Sequence, residues 1–244
     1  MKFKKFLSLA LSLMLILSVA PMGLFGITAS AATSGTTGDC TWTLDGTVLT
    51  ISGNGRTEDS IDGYSPWSSK NITEVIINDG VINIGEGNFW YCKNLTKVSI
   101  PNSVTSIGSS AFAHCQSLTN ISIPDSVTII GDWAFYECTG LTNIIIPDGV
   151  ISIGEKAFYD CTGLTNITIP DSIADIDSYT FDGCDNITDI TISQSLINSF
   201  KTVFKKYNKI KNITLDENTV YISELAFSGC TELENIYLAD GVTS

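Results

Sequence analysis

The stretch Ile100-Pro101-Asn102-Ser103-Val104-Thr105-Ser106-Ile107-Gly108-Ser109-Ser110-Ala111-Phe112-Ala113-His114-Cys115-Gln116-Ser117-Leu118-Thr119-Asn120-Ile121-Ser122 decides the fold, because almost the same string begins again at Ile123. Phenylalanine recurs every 23 residues, at Phe89, Phe112, Phe135, Phe158, Phe181, Phe204 and Phe227. Such a period is typical of a solenoid, in which each repeat is one coil that covers the apolar side of the next. We therefore expect a stack of coils that shares one long core.

Each repeat contains an alternating apolar pair, such as Val98 and Ile100, which predicts a short parallel strand. A second apolar pair follows, such as Val104 and Ile107, and an Ala-Phe-x-x-Cys segment closes the turn. Proline ends the strand in four repeats, at Pro101, Pro124, Pro147 and Pro170. We predict a run of eight such strands, from 75–77 to 236–238, with turns or short helices on the other face.

The segment before the repeats predicts an N-terminal β cap. Residues 40–53 alternate around Asp45-Gly46, which is a strong hairpin signal. Residues 33–37 are rich in Ser, Thr and Gly and predict a flexible leader. The end of a solenoid needs a cover, and the large side chains available for it are Trp42, Tyr64, Pro66 and Trp67.

Residues 1–32 have the pattern of a secretory signal peptide, with three early lysines, an apolar run and small residues before a cut near Ala31 or Ala32. The predicted organisation is a signal peptide (1–32), a linker and β cap (33–71), and a repeat array (72–244) of about eight units. The last unit is incomplete at Ser244, which indicates either a fragment or an end that a partner covers.

Acidic side chains dominate the composition, with 26 Asp and Glu against 13 Lys and Arg. Without the three lysines of residues 1–32, the formal charge is −16. This charge disfavours binding to nucleic acids and to anionic membranes. We expect a secreted or cell-surface protein with no membrane insertion after signal cleavage.

Six of the seven cysteines occupy one repeat column, at Cys92, Cys115, Cys138, Cys161, Cys184 and Cys230. Adjacent members would lie close enough for disulfides, since parallel strands are about 4.8 Å apart. The repeat explains their spacing equally well, and the favoured interpretation is a stack of reduced, buried thiols. Metal ligation is disfavoured because there is no Cys-x-x-Cys pair and only one histidine, His114.

Residues 118–138 carry a recognisable family pattern. They contain Leu118-x-x-Ile121-x-Ile123-Pro124, followed by Ile130-Gly131, Ala134-Phe135 and Cys138. This unit resembles the repeat of the BspA-like leucine-rich repeat surface proteins of bacteria. The resemblance covers residues 72–244 and implies a leucine-rich repeat solenoid at or outside the cell, with adhesion or protein binding as its role.

One repeat departs from the pattern, with Ser193, Ser199 and Tyr207 where the others have Pro, Ile and Cys. Its apolar residues take helical spacing instead, at Leu196, Ile197, Phe200, Val203, Phe204 and Tyr207. A short helix is therefore predicted there.

Two surfaces are candidates for ligand binding. The first is the exposed face of the strands, where small polar residues form ladders at Lys97, Asn120, Asn143, Asn166, Asp189, Asn212, Ser122 and Thr168. The alternative is that these side chains only bond to one another along the ladder. The second is a turn-side aromatic patch of Trp90, Trp133, Tyr136 and Tyr159, suited to sugar rings or protein contacts, or else packed between turns.

Catalytic arrangements have weak support in the sequence. Glu137 and Asp160 fall in adjacent coils and resemble the spacing of a retaining glycosidase, but stacked surface acids are expected in so acidic a repeat. His114 shares their column, and no serine has a nucleophile-elbow glycine pattern. We expect no enzyme activity and no cofactor. The predicted function is protein binding or adhesion, with carbohydrate binding and a passive spacer as the alternatives, and an unidentified extracellular or host surface protein, or a glycan, as the partner.

Overall fold

A computed structural model describes residues 33–60, 64–173, 176–197, 200–204, 209–216, 219–222 and 226–238. Residues Ala31–Ser244 form one compact unit. The predicted signal peptide, Tyr207 and the last six residues lie outside the described residues. Within the described ranges, no helix has both the length and the apolar character that a membrane span requires.

The described strands and helices are, in chain order, β1 (Thr33–Thr37), β2 (Cys40–Asp45), β3 (Val48–Gly53), β4 (Gly55–Arg56), β5 (Glu74–Ile77), β6 (Val81–Ile84), β7 (Lys97–Ser99), β8 (Ser106–Ile107), β9 (Ile129–Ile130), β10 (Asn143–Ile145), β11 (Ser152–Ile153), β12 (Asn166–Thr168), β13 (Asp189–Ile192), α1 (Gln194–Ile197), α2 (Phe200–Val203), β14 (Asn212–Leu215) and β15 (Asn235–Tyr237). From β5 onwards, all strand pairs are parallel and join neighbouring coils. The predicted solenoid of stacked parallel strands is confirmed.

The predicted N-terminal hairpin is also confirmed. β2 and β3 pair antiparallel around Asp45, and β3 then pairs in parallel with β5 of the first coil. The expectation of a flexible leader at residues 33–37 was wrong, because these residues form β1 and pair antiparallel with β2 along its whole length. A strand edge binds the backbone N–H and C=O groups of its neighbour, and Ser, Thr and Gly residues supply these groups as other residues do.

Tryptophan side chains cover the apolar end of the coil stack. Trp67 is fully buried and stacks on Phe89 with ring centroids 5.8 Å apart, and Trp42 packs edge-on against Trp67. The expectation that Tyr64 and Pro66 share this role was wrong. Both are exposed, and the side chain of Tyr64 is 79% accessible to solvent.

The second apolar pair of each repeat forms a second parallel sheet that the sequence analysis did not predict. Its strand order is β11-β9-β8-β6-β4. Val104 and Ile107, the pair that defines it in one coil, are both fully buried. The coils that contain β5, β7 and β10 therefore have two short strands each.

The first sheet is interrupted in the middle of the array. β7 ends one five-stranded sheet and β10 begins the next, and residues 120–123 between them form no strand. The prediction of a strand at 121–123 was therefore wrong. Ile121 and Ile123 are each 7% exposed, while Ile144 and Ile146 in the next coil are at most 1% exposed.

The turn side of each coil carries its own hydrogen-bond ladder, although no strand is present there. In one coil the backbone N–H groups of Ser110, Phe112 and His114 donate to carbonyls of the next coil over 2.7–2.8 Å. The residues between them bond within their own turn, as when Ala113 donates to the Ser110 carbonyl. Alternate N–H groups therefore hold neighbouring coils together.

Phenylalanine rings form the centre of the core. From Phe89 to Phe181, successive rings stack 5.1–5.4 Å apart with interplanar angles of 4–17°. Phe204 extends the column at 5.9 Å, whereas Phe227 packs edge-on against Phe200. The column therefore runs unbroken through the regular coils and changes only at the irregular unit.

The cysteine column consists of free thiols. Cys115, Cys138, Cys161 and Cys184 are buried, and each Sγ donates to the carbonyl of a phenylalanine in the preceding coil over 3.0–3.2 Å. Burial raises the pKa of the Cys138 thiol from 9.0 to about 12. The structure therefore agrees with the favoured interpretation of a reduced, buried ladder.

The irregular unit contains the predicted helical structure, as two short helices. Residues 198–199 between α1 and α2 are not described. The apolar residues with helical spacing that are described, Leu196, Ile197, Phe200, Val203 and Phe204, are all buried.

Removing one ring from the phenylalanine column should weaken the whole stack. We expect Phe135→Ala to lower the free energy of unfolding by about 3–5 kcal/mol, because it leaves a cavity between two stacked rings. Urea denaturation followed by circular dichroism measures this loss. Phe135→Leu, which keeps most of the apolar volume, is the control and should cost markedly less. Equal losses in the two variants would contradict a role for ring stacking.

The buried thiols should make stability sensitive to alkaline pH. The unfolded chain ionises Cys138 near pH 9.0, whereas the folded protein keeps it protonated to about pH 12. The free energy of unfolding should therefore fall as the pH rises through this interval, and less steeply in Cys138→Ala. Thiol titration of the unfolded mature chain without reductant is the companion measurement. Fewer than six free thiols would contradict the reduced ladder.

Candidate functional site

The turn side contains two columns of residues with left-handed backbone conformation. The first is Gly87, Ser110, Trp133 and Lys156, with φ between 53° and 60°. The second is Tyr91, His114, Glu137, Asp160 and Gly183, with φ between 52° and 82°. Both columns lie in the turn ladder, and their geometry recurs in successive coils.

Glycine adopts this conformation at little cost, and most other residues do not. The chain has glycine at Gly87 and Gly183, so the coil accepts glycine in both columns. At their other positions the two columns have serine, tryptophan, lysine, tyrosine, histidine and two acids instead. Strained residues of this kind cluster at functional sites. At these positions, side chains are therefore displayed where the backbone would favour glycine.

The aromatic side chains of the turns form a continuous ribbon. Tyr136 and Tyr159 stack with centroids 5.3 Å apart and planes within 7°. His114 packs edge-on against Tyr136 at 5.3 Å and contacts Trp90 and Tyr91 on the preceding coil. The predicted aromatic patch therefore comes together, with His114 joining its two halves.

An open groove of about 380 Å³ lies along this ribbon. It is lined by Trp90, Ser110, Ala113, His114, Trp133, Tyr136, Lys156 and Tyr159. All four predicted aromatic residues are among them. Trp90 and Trp133 are 38% and 41% exposed, whereas Tyr136 and Tyr159 are half-buried and stack between the turns, so the patch agrees in part with each interpretation.

Charged groups of the second column border the groove. His114 Nδ1 lies 3.1 Å from Glu137 Oε2. Burial raises the pKa of Asp160, and the nearby carboxyls of Glu137, Asp182 and Asp185 raise it further. The pKa of the Tyr136 hydroxyl is also raised, first by burial and then by the charge of Glu137. Glu137 and Asp160 do not line the groove themselves, but Glu137 contacts His114, which does, and both carboxyls lie within electrostatic reach of Tyr136.

Two lysines already rest near rings of the turns. Lys93 Nζ lies 4.2 Å from the ring centroid of Tyr91, and Lys156 Nζ lies 5.5 Å from that of Tyr179. Lys156 also pairs with Glu155 at 2.7 Å.

The predicted sheet-face residues lie on the solvent side of the first sheet, as expected. Lys97, Asn120, Asn143, Asn166 and Ser122 are exposed, and Asp189, Asn212 and Thr168 are half-buried. Asn120 and Ser122 lie at the interruption rather than in a strand.

Several sheet-face side chains bond to their ladder neighbours. Lys97 pairs with Glu74 at 2.6 Å, and Asn212 donates to Asp189 over 2.7 Å. Asn235 donates to Asn212 over 2.8 Å. Ladder bonding, the alternative that the sequence analysis left open, therefore uses part of this surface.

A second depression, of about 440 Å³, lies where the first sheet is interrupted. Its lining includes Asn120, Ser122, Asn143 and Thr168 from the predicted sheet face, and also Ile145, which is 58% exposed. It has no aromatic ring and no basic group among its lining residues, and two acids, Asp125 and Asp148, line it.

The sequence analysis missed the left-handed columns, and with them Ser110 and Lys156 as lining residues and His114 as a link in the ribbon. A signal was present. Two columns of the repeat contain glycine at one coil and large or charged residues at others, which indicates a turn conformation that glycine favours.

Metal-binding side chains do not converge in the described ranges. Among those residues, no group of three or more His, Cys, Asp or Glu side chains has the geometry to hold a metal ion. Glu137, one of the two acids in the glycosidase-like spacing, pairs with His114.

The repeat geometry and the sequence pattern agree with a known family. The profile described as "BspA type Leucine rich repeat region" matches residues 59–148 and 130–244, with six copies. The chain therefore belongs to the BspA-type leucine-rich repeat family, as the resemblance of its repeat unit indicated.

Three solved structures are similar to this chain. A leucine-rich repeat protein from Eubacterium ventriosum is 23% identical, with 87% of this chain and 74% of that chain covered and a TM-score of 0.47. The T. pallidum leucine-rich repeat protein is 23% identical, with 84% of this chain and 89% of that chain covered and a TM-score of 0.49. A leucine-rich repeat protein from Bacteroides ovatus is 20% identical, with 89% of this chain and 78% of that chain covered and a TM-score of 0.44. Comparison with curated proteins gives no match.

Neighbouring serines allow a direct test of the left-handed strain. Ser110 has a φ of 53°, while Ser109 is not among the positive-φ residues. We expect Ser110→Gly to leave the free energy of unfolding unchanged or raise it by up to about 1 kcal/mol, since the left-handed conformation costs other residues about that much. Ser109→Gly should lower it by about 0.5–1 kcal/mol through the entropy of the unfolded chain. Urea denaturation compares the two, and equal losses would mean that the turn stores no strain.

Proposed function

We propose that this protein is an exported recognition module without catalytic activity, and that it binds a protein at or outside the cell surface. The signal-peptide pattern of residues 1–32 supports export, and the BspA-type repeat supports a surface role. Adhesion through the bound protein is the biological role that we propose.

The single observation that carries this proposal is the set of large and charged side chains held in left-handed turns. The two left-handed columns have glycine in some coils, at Gly87 and Gly183. In other coils the first column has Trp133 and the second has His114 and Glu137. Exposed aromatic side chains grouped in a shallow groove are typical of protein interfaces, where tryptophan and tyrosine contribute most of the binding energy. The turn-side groove is therefore the proposed ligand surface.

The sheet face remains a second proposed surface. Its depression includes the exposed Ile145 beside Asn120 and Asn143. Its polar ladder is partly used by internal hydrogen bonds, so we rank it below the groove.

Binding should depend on the turn-side groove. We expect the mature chain, residues 33–244, to bind at least one protein saturably when it is tested at physiological salt against immobilised extracellular matrix and cell-surface proteins. Trp133→Gly, which removes a displayed ring from a turn that favours glycine, should weaken this binding at least about tenfold. Surface plasmon resonance provides the measurement, and circular dichroism confirms that the variant is folded.

Asn143→Ala is the matched control on the sheet face and should leave the binding unchanged. A loss in Asn143→Ala alone would move the site to the sheet face. Binding only to a parallel panel of polysaccharides would replace protein recognition with carbohydrate recognition. The absence of any binding would favour a passive spacer.

A further inference from the structure

The turn-side groove is lined by aromatic faces, and the carboxyls of Glu137 and Asp160 lie beside its lining residues His114 and Tyr136. This combination indicates the chemistry of its ligand. Aromatic rings carry partial negative charge on their faces and attract ammonium and guanidinium groups. Carboxyls add full negative charge beside them. A site built from both kinds of group favours a cation over a neutral or an anionic ligand.

Two of the protein's own lysines lie near turn-side rings that flank the groove without lining it. Lys93 Nζ is 4.2 Å from the ring centroid of Tyr91, at the end of the ribbon, and Lys156 Nζ is 5.5 Å from that of Tyr179. The structure describes the side chains of seven Lys and Arg residues, and two of the seven lie near a ring in this way.

The two carboxyls add attraction for a cation. Glu137 and Asp160 occupy adjacent coils, and Asp160 also lies within the electrostatic reach of Asp182 and Asp185. Two groups that can carry positive charge, Lys156 and His114, line the groove themselves. Lys156 is paired with Glu155 at 2.7 Å, and His114 contacts Glu137. The electrostatic field of the whole chain also attracts cations, since its formal charge is −13.

The groove has the size of a side chain rather than of a folded element. Its volume of about 380 Å³ is open to solvent along the ribbon, with Trp90 and Trp133 displayed at its wall. Lysine and arginine have long apolar stems that pack along such rings while the charged head reaches a carboxyl. A neutral sugar would use the rings but gain nothing from the charge of the two carboxyls, and an acidic glycan would be repelled.

We propose that the groove binds lysine or arginine side chains of a basic segment in the partner protein, with Trp133 and Tyr136 covering the stem and Glu137 and Asp160 facing the charge. This inference rests on the proposed function and names the chemistry of its ligand.

The test uses two labelled peptides of the same length, one an arginine and glycine repeat and the other its citrulline counterpart, which keeps the shape and lacks the charge. Fluorescence anisotropy at physiological salt measures their affinity for residues 33–244, the span that contains the whole described core. We expect saturable binding of the arginine peptide and at least about tenfold weaker binding of the citrulline peptide.

Three variants separate the groove from general attraction to an acidic protein. Trp133→Gly removes a ring and keeps the charge, whereas Glu137→Gln removes the charge and keeps the size. Asp171→Asn removes the same charge from an exposed loop and is the matched control. We expect the first two to weaken binding of the arginine peptide about tenfold each and the third to leave it unchanged.

Two results would overturn the inference. If all three variants bind alike, the attraction is general and the groove is not a cation site. If a protein from the surface panel binds through Trp133 while the arginine peptide does not bind, the proposed function stands and the cation chemistry is wrong. Neutral oligosaccharides that bind wild type but not Trp133→Gly, with no arginine-peptide binding, would likewise overturn it and indicate a glycan site.

Discussion

The distance between neighbouring coils is the constraint on which the rest of this structure depends. Phenylalanine rings at one position of every coil stack at 5.1–5.4 Å, and the backbone N–H groups of the turns bond across the same interval. The thiol of each buried cysteine donates to a phenylalanine carbonyl in the preceding coil. Because these three interactions lie within a few residues of one another, the turn is the most regular part of the coil.

This regularity accounts for the unusual backbone of the turns. For alternate N–H groups to reach the next coil while the others bond locally, two residues per coil take a left-handed conformation. Their side chains belong to the surface, whereas Phe and Cys of the same segment are buried. The ladder that holds the coils together therefore also presents a row of variable side chains at a fixed spacing, and the candidate site is built from that row.

The first sheet is not continuous along the array. It is interrupted at residues 120–123, and the second depression lies at that point. The turn ladder continues through the same coils, since Phe112 and His114 donate to the coil of Phe135. The solenoid therefore tolerates a local loss of strand pairing, because the turn side and the core columns hold the coils in place.

The amino-acid sequence by itself determined the solenoid, the family, the hairpin cap and the column of buried thiols. A 23-residue repeat leaves each coil only its neighbours to cover its apolar side, so the core follows from the period. It also determined which aromatic residues share a column, and therefore most of the candidate groove.

Other features were decided by tertiary structure. The pairing of Thr33–Thr37 with β2 depends on a strand edge that exists only after folding, and so does the exposure of Tyr64. The left-handed turns, the role of His114 in the ribbon and the interruption of the first sheet at residues 120–123 arise from how one coil meets the next. A repeat pattern specifies which residues occupy equivalent positions, but backbone hydrogen bonds between coils determine which of those positions face the core, the groove or the solvent.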